Sequence, residues 1–582
     1  MKQVRVRKHA LAGAVIAALL LTACGGDDDA QGPAVTSGPT ETPTSESETP
    51  TDETEPPTSE SEPTVPGDVA PEATASSVPA TTASDVSFDP EASLSYASGV
   101  QVGVSLDPHA EVAIRDFYTS QYIYDRLTQI DANVQLQPML ATSWEFSDDG
   151  LALTMTLRTD AVFHDGSPVD AAAVKASLDR AKTSGGPVVT GLLDSLDSVD
   201  VVDASTVRLN LNRFAAELPY NLSRSAGAVV NPKAIEQGLD LSLTDHGIAG
   251  SGPYVVSDGG FKPEVEAHLT RASTPYWDPE AGRIKNINTF AISDPTSSLN
   301  ALQSGEVDGA AVRAADWDAA EGIGGHTLYR MSTGLLQGPV IKSDRPNVSD
   351  VRVRQAIAHA IDRVAIADGL LLGRCQVTDQ PFVEGAPGFS DELAGEAYPY
   401  DYDVEAAKQL LADAGFADGL DLVGYVATGL EPQNSIAIAV QNQLAAIGIN
   451  MELQSGPGTE GLQKMQAGEI DLFFPGLIAQ PHPAPFVARV FYPGSLYQAA
   501  SGPEGDALRA AVDQSLDPSR TEEQTGADWY DIGVILRENV WVVPLCFSQQ
   551  GYSFPDDVGN VETMGEVWNN AMSFRYLYRA AD

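Results

Sequence analysis

Tyr124-Asp125-Arg126-Leu127, Gln137-Pro138-Met139-Leu140-Ala141 with Ser143-Trp144-Glu145, Asp149-Gly150, Leu157-Arg158 and Phe163-His164-Asp165-Gly166-Ser167-Pro168 succeed one another between residues 124 and 168. Taken singly, most of these residues have structural uses. Leu151 to Leu157 alternates apolar and polar side chains, the period of a half-buried strand, and Thr206 to Leu211 repeats the pattern. Asp149-Gly150 is a hairpin turn and Trp144 a core side chain. His164-Asp165-Gly166 is a turn that leads to a helix over Ala171 to Ala181, with Asp170 as its N-cap.

Downstream, the same logic gives more helices and strands in alternation. Asp350 caps an expected helix over Val351 to Asp368, with Val353, Ile357, Ile361 and Val364 on one face and Gly369 as its stop. Asp403 opens another, with Leu410, Leu411 and Ala414 inward and Gly415 at its end. A helix over Asn434 to Ile447 then passes through Gly448 into a strand over Ile449 to Leu453. Strands interleaved with helices of this length make an α/β protein.

In their order, the blocks between 124 and 168 resemble the N-terminal signature of the family 5 extracellular solute-binding proteins, the dipeptide, oligopeptide and nickel receptors of ABC importers. Gly250-Ser251-Gly252-Pro253-Tyr254, Leu302-Gln303-Ser304-Gly305-Glu306-Val307-Asp308, Val353-Arg354-Gln355-Ala356-Ile357 with Ile361-Asp362-Arg363, and Ala407 to Gly415 fall where that family has similar blocks. The resemblance implies a two-lobed periplasmic-binding-protein-like α/β fold (type II, cluster C) with an extra subdomain and a hinge. Lobe I would comprise 91–136, 249–340 and 543–582, its subdomain 137–248, and lobe II 341–542. Hinge closure is then a population shift, in which a ligand touching both lobes stabilises the closed form. Arg354 and Asp362 are expected to orient their helix rather than to bind solute.

The candidate cleft residues are Phe117, Tyr118, Ser251, Gly252, Ser332, Thr333, Gly334 and Leu335, then Leu477, Gln480 and His482, then Phe547 and Gln549. They come from separated parts of the chain, as a site between lobes requires. Peptide-binding members of the resembling family tend to carry Gly-Trp followed by an acidic residue that pairs with the ligand's amino terminus. Here the stretch from Ile470 to Pro483 places Leu477 at the Trp position and Gln480 at the acidic one, while Asp471 is assigned to the strand entering the loop. An amide can hydrogen-bond an amine but cannot neutralise its buried charge. Trp317 and Trp541 are either stacking surfaces or core.

At the other end of the chain, Lys2, Arg5, Arg7 and Lys8 precede an apolar run from Leu11 to Leu21, too short to span about 30 Å of hydrocarbon. Leu21-Thr22-Ala23-Cys24 resembles a bacterial lipobox, which makes 1–23 a signal peptide and Cys24 an acylated first residue that holds the protein on the outer face of the cytoplasmic membrane. Residues 24–90 form a disordered, Ser/Thr/Pro-rich linker in which positions 25–90 hold fifteen acids and no bases. The formal charge is -47, and removal of the four basic residues of the signal takes it to -51. Such acidity argues against nucleic acid as a partner. Beyond Cys24 the only cysteines are Cys375 and Cys546, which an oxidising location allows to form one disulfide or to remain as two buried thiols.

No Gly-x-Ser-x-Gly, Ser-x-x-Lys, His-Glu-x-x-His or Walker loop occurs in the body, and His109, His164, His246 and His482 show no paired metal spacing. The expected protein is a monomeric, membrane-anchored receptor without cofactor or metal that takes a peptide or peptide-like solute to ABC permease subunits. The competing readings are a surface solute receptor without transport and an extracytoplasmic hydrolase.

Overall fold

The structure, a computed structural model, describes residues 87–99, 102–112, 114–480, 482–566 and 571–581. The expected signal peptide 1–23, the acylated Cys24 and the linker as far as residue 86 lie outside the described residues. Strand β1 (Ser93–Ser98) buries Leu94 and Tyr96, and helix α1 (Ile114–Ile123) brings Tyr122 and Ile123 into the same core.

The expected hairpin forms between β2 (Ala141–Phe146) and β3 (Ala152–Leu157), turning at Gly150 with φ +68°. Helix α2 (Ala171–Ser184) starts where the Asp170 carboxylate accepts from Ala173 N at 2.9 Å. With β4 (Leu196–Asp203) and β5 (Thr206–Leu211) this makes an antiparallel sheet in the order β2-β3-β5-β4. Its alternating residues Leu153, Met155 and Leu157 meet Val174 and Leu178 of α2, and Trp144 packs on the rim of that core. Each buried aliphatic side chain of this kind contributes about 1.5–3 kcal/mol.

The chain then returns to β1 through β6 (Tyr254–Lys262), β7 (Glu266–Arg271) and β8 (Asn286–Ala291). Asp294 caps α3 (Pro295–Ser304), which feeds β9 (Gly309–Val312), and the long β10 (His326–Gln337) leads out of the lobe. Past it, β11 (Val340–Ile341) enters a second core.

Helix α4 (Val351–Ala360) is capped by Asp350 as expected, yet it stops at Ala360 rather than Asp368. Ile361 is extended at φ -97° and ψ 111°, and the Asp362 carboxylate accepts from Ala365 N at 2.8 Å to begin a separate π-helical turn, Ala365–Leu370. The break rotates this turn off the inward face. Val353, Ile357 and Ile361 are buried, whereas Val364 is 57% exposed. Arg354 does orient its helix, donating to the carbonyls of Val348, Ser349 and Asn539 at 2.9, 2.9 and 2.6 Å.

Strand β12 (Cys375–Val377) precedes α5 (Val404–Asp413), whose cap Asp403 accepts from Glu405 N and Ala406 N. Then β13 (Leu420–Ala427), α6 (Gln433–Ala445), β14 (Ile449–Gly456) and β15 (Leu472–Phe474) complete a sheet in the order β11-β15-β13-β14. β13 is parallel to both of its neighbours. β16 (Gly476–Ile478) and α7 (Pro483–Phe491) come next, and β17 (Cys546–Pro555) carries the chain back.

The large sheet of the first lobe runs β16-β10-β17-β9-β1-β8-β7-β6, with β12 also paired to β17. β12 and β16 lie in the stretch expected in lobe II, yet they bond into this sheet, because β10 and β17 run on toward the second core and offer open ladder edges there. Cys375 of β12 and Cys546 of β17 form the disulfide, which removes the free-thiol alternative.

Candidate functional site

Two segments carry the chain between the sheets, and they lie side by side. Gly338 and Pro339 lead out, and Val543 to Leu545 lead back, joined by Ile341 N to Trp541 O at 2.8 Å, Val543 N to Pro339 O at 3.1 Å and Leu545 N to Gln337 O at 3.0 Å. Gly338 has φ +148°, and a Cβ there would lie 2.0 Å from Val543 O, so only glycine fits the crossing. A paired crossing of few residues is the arrangement in which one lobe can swing against another.

The candidate residues from three parts of the chain gather at this crossing. β10 bulges between Ser332, which faces Gln549, and Leu336, which faces Phe547. Within the bulge Gly334 has φ +64° and accepts from Ala479 N at 2.9 Å, and Thr333 Oγ1 donates to Ser548 O at 3.0 Å. β16 pairs Leu335 with Ile478, Leu336 with Leu477 and Gln337 with Gly476. A bulge of this kind re-aims side chains beside a sheet edge.

Several expected contacts are corrected by burial. Leu477 fills the core, and strand alternation presents Ile478 instead, at 42% exposure, whereas Phe547 packs into the core and also forms part of a cavity wall. Half-buried Gln480 donates weakly to Ile478 O at 3.5 Å. His482 is buried as the N-cap of α7, its Nδ1 accepting from Ala484 N at 3.3 Å, and its ring meets Tyr220 and Trp529. Burial pushes its pKa down to about 4. Trp317 and Trp541 are core side chains. Asp471 is buried where it accepts from Arg345 Nε at 3.0 Å and Val423 N at 2.8 Å, in the structural place expected of it.

Phe117, Ser251 and Gly252 are also interior. Phe117 lies beneath the Arg126 guanidinium, 5.0 Å from its ring centre. Gly252 donates to Ile123 O at 2.8 Å and accepts from His164 Nε2 at 2.9 Å, and a Cβ on it would lie 2.4 Å from Tyr122 O. Ser251 Oγ donates to Asp125 Oδ2 at 3.2 Å. Asp125, fully buried, also accepts from the Tyr276 hydroxyl at 2.8 Å, Trp277 Nε1 at 3.1 Å and Arg575 Nη1 at 2.9 Å. The glycine-rich segment therefore packs α1 against the rest of the lobe, and the small residues admit backbone rather than ligand.

Two cavities are lined in part by β17, and the larger also by β10. The larger, about 760 Å³, lies between Asn133 and Val134 on one side and Thr378, Glu384 and Tyr398 on the other, with Ser332 and Phe547 at its back. The smaller, about 180 Å³, is walled by Tyr118 of α1, Ser298 of α3, Arg313 after β9 and Gln550 and Tyr552 of β17. Burial pushes the Tyr118 hydroxyl up to about 12, so it is a neutral donor. Of these, only Tyr118, Ser332 and Phe547 were among the candidates; Asn133, Val134, Ser298, Arg313, Thr378, Glu384, Tyr398, Gln550 and Tyr552 were not. Gln550 adjoins Phe547 to Gln549 in sequence, so strand alternation could have suggested it; the others carry no local signal. Among the described residues, no group of three or more His, Cys, Asp or Glu side chains could hold a metal ion, and no helix is long and apolar enough to cross a membrane.

The family described as bacterial extracellular solute-binding proteins, family 5 Middle, matches residues 135–497. The glutathione-binding protein GsiB of Salmonella paratyphi A is 25% identical over 454 residues, which are 75% of this chain and 86% of that protein. Among solved structures, HbpA2 from Haemophilus parasuis is similar with TM-score 0.73 at 21% identity, covering 84% of this chain and 100% of its own. The periplasmic binding protein DppA from Helicobacter pylori, in complex with the peptide STSA, is similar with TM-score 0.63 at 22% identity over 85% and 99% of the two chains. The likenesses show a two-lobed α/β binding-protein fold.

Proposed function

The chain belongs to the bacterial extracellular solute-binding proteins of family 5, and from that premise we propose that it captures a peptide or peptide-like solute between its lobes and delivers it to an ABC permease. One observation carries the reading: the paired crossing at Gly338 and Val543 to Leu545, around which residues from β10, β16 and β17 converge, with a cavity of about 760 Å³ lined by β10 and β17. A relative that binds glutathione and a structural neighbour holding a peptide support a peptide-like solute. Closure on such a solute needs contacts with both lobes, and no catalytic step.

Gln480 narrows the class. A free ammonium terminus brought to this amide would have no counter-charge there, so a solute with a blocked or absent amino terminus fits better. Acylation at Cys24 would keep captured solute near the permease, and the acidic stretch behind it gives the body reach.

Native mass spectrometry of the protein as purified, combined with uptake assays in a deletion strain, tests the reading. Retention of a stoichiometric, unmodified peptide-like solute and loss of its uptake on deletion are expected. Turnover of the bound species would turn the reading toward a hydrolase, and unchanged uptake toward a receptor without transport.

A further inference from the structure

The smaller cavity has a chemical character that the family does not dictate. Its volume, about 180 Å³, is near the roughly 150 Å³ of an apolar cavity that holds one benzene ring. Tyr118 and Tyr552 give it aromatic walls, and no carboxylate lines it among the described residues. Its one cationic side chain, Arg313, is engaged by Asp316, which accepts from both Nε and Nη2. A cationic arm would therefore be buried without a counter-charge.

Several neutral polar side chains line it, Tyr118, Thr289 and Ser293 among them, and two others bear on what it can hold. Ser298 is 2% exposed, and its hydroxyl has no hydrogen-bond partner. A buried hydroxyl left unsatisfied is costly, so its position in the lining favours an occupant that brings a hydrogen bond. Gln550 spends its Nε2 protons on Val312 O at 2.8 Å and Gly551 O at 3.1 Å, which leaves Oε1 as an acceptor.

We propose that this cavity is a ring pocket of the solute site, taking a single uncharged ring that carries one hydroxyl-type group, with Ser298 as the partner of that group. The proposal rests on reading this wall as part of the solute site. A phenol-like arm on a peptide-like solute has the size and hydrogen-bonding groups for it, and the remainder of such a solute would extend toward the crossing strands.

The test uses the purified full chain with 4-methylphenol and toluene as probes, their binding measured by titration calorimetry. 4-Methylphenol should bind about tenfold more tightly than toluene, the preference one satisfied hydrogen bond supplies. Ser298→Ala should bring the ratio to about one at unchanged toluene affinity, and Ala311→Leu, which narrows the cavity, should abolish both. Equal binding of the two probes, no binding of either, or a preference that survives Ser298→Ala overturns the proposal. A circular-dichroism melt checks that each variant is folded. Fragment binding as expected with uptake unaffected by deletion would overturn the transport reading alone; intact transport with an inert cavity would overturn the ring pocket alone.

Discussion

Asp125 and Arg575 lie 450 positions apart and meet as a fully buried ion pair. Arg575 also donates to Gln121 O at 2.7 Å, so the pair ties the chain's last segment to α1. Replacing the arginine leaves a carboxylate buried without its cation, which costs about 3–5 kcal/mol. Arg575→Met should lower stability by that amount in urea unfolding, and Asp125→Asn on the same background should restore part of the loss. His482 carries a pH signature. Its pKa is about 4 in the fold against about 6.5 for a free histidine, so the unfolded chain binds the proton first as pH falls. Its contribution is complete above about pH 6.5 and falls as pH drops toward 4, by on the order of 3 kcal/mol in all. His109 is likewise pushed down to about 4 by burial, so His482→Asn, which keeps a capping side chain, should reduce but not abolish the loss of stability between about pH 6.5 and 4 in pH-dependent melts.

At the scale of elements, local sequence was a good guide wherever the determinant lies within a few residues. Asp170, Asp350 and Asp403 each cap the helix assigned to them, because a short carboxylate satisfies amide donors that the first turn leaves open. Asp403→Ala should cost about 1 kcal/mol in equilibrium unfolding. The long helix expected after Asp350 failed for the same reason read twice: Asp362 is itself a cap, and the apolar period ran through it. The disulfide could not be chosen from sequence, since its partners are 171 residues apart and meet only because β12 adds to β17. Replacing Cys375 and Cys546 together by serine should lower stability by about 2–5 kcal/mol, read from unfolding with and without reductant.

At the scale of the whole molecule, the proposed anchor and the proposed trap would act as one device. Cys24→Ser should move the protein from the membrane fraction to the soluble one, with the body's melting temperature unchanged, as fractionation and calorimetry would show. Sequence alone determined the α/β alternation, the family through the order of its blocks, and the crossing region to which Ser332 to Leu335, Leu477 and Phe547 contribute. Those readings rest on periodicity, caps and block order, which are local properties of a chain. Tertiary structure decided which side chains face a cavity. Ser251 and Gly252 turned inward onto α1, Leu477 yielded its exposed position to Ile478, and Ser298, Arg313 and Gln550 came together from a helix, a loop and a strand. The direction a side chain takes there depends on bulges, register and partners hundreds of residues away, and no window of sequence contains them.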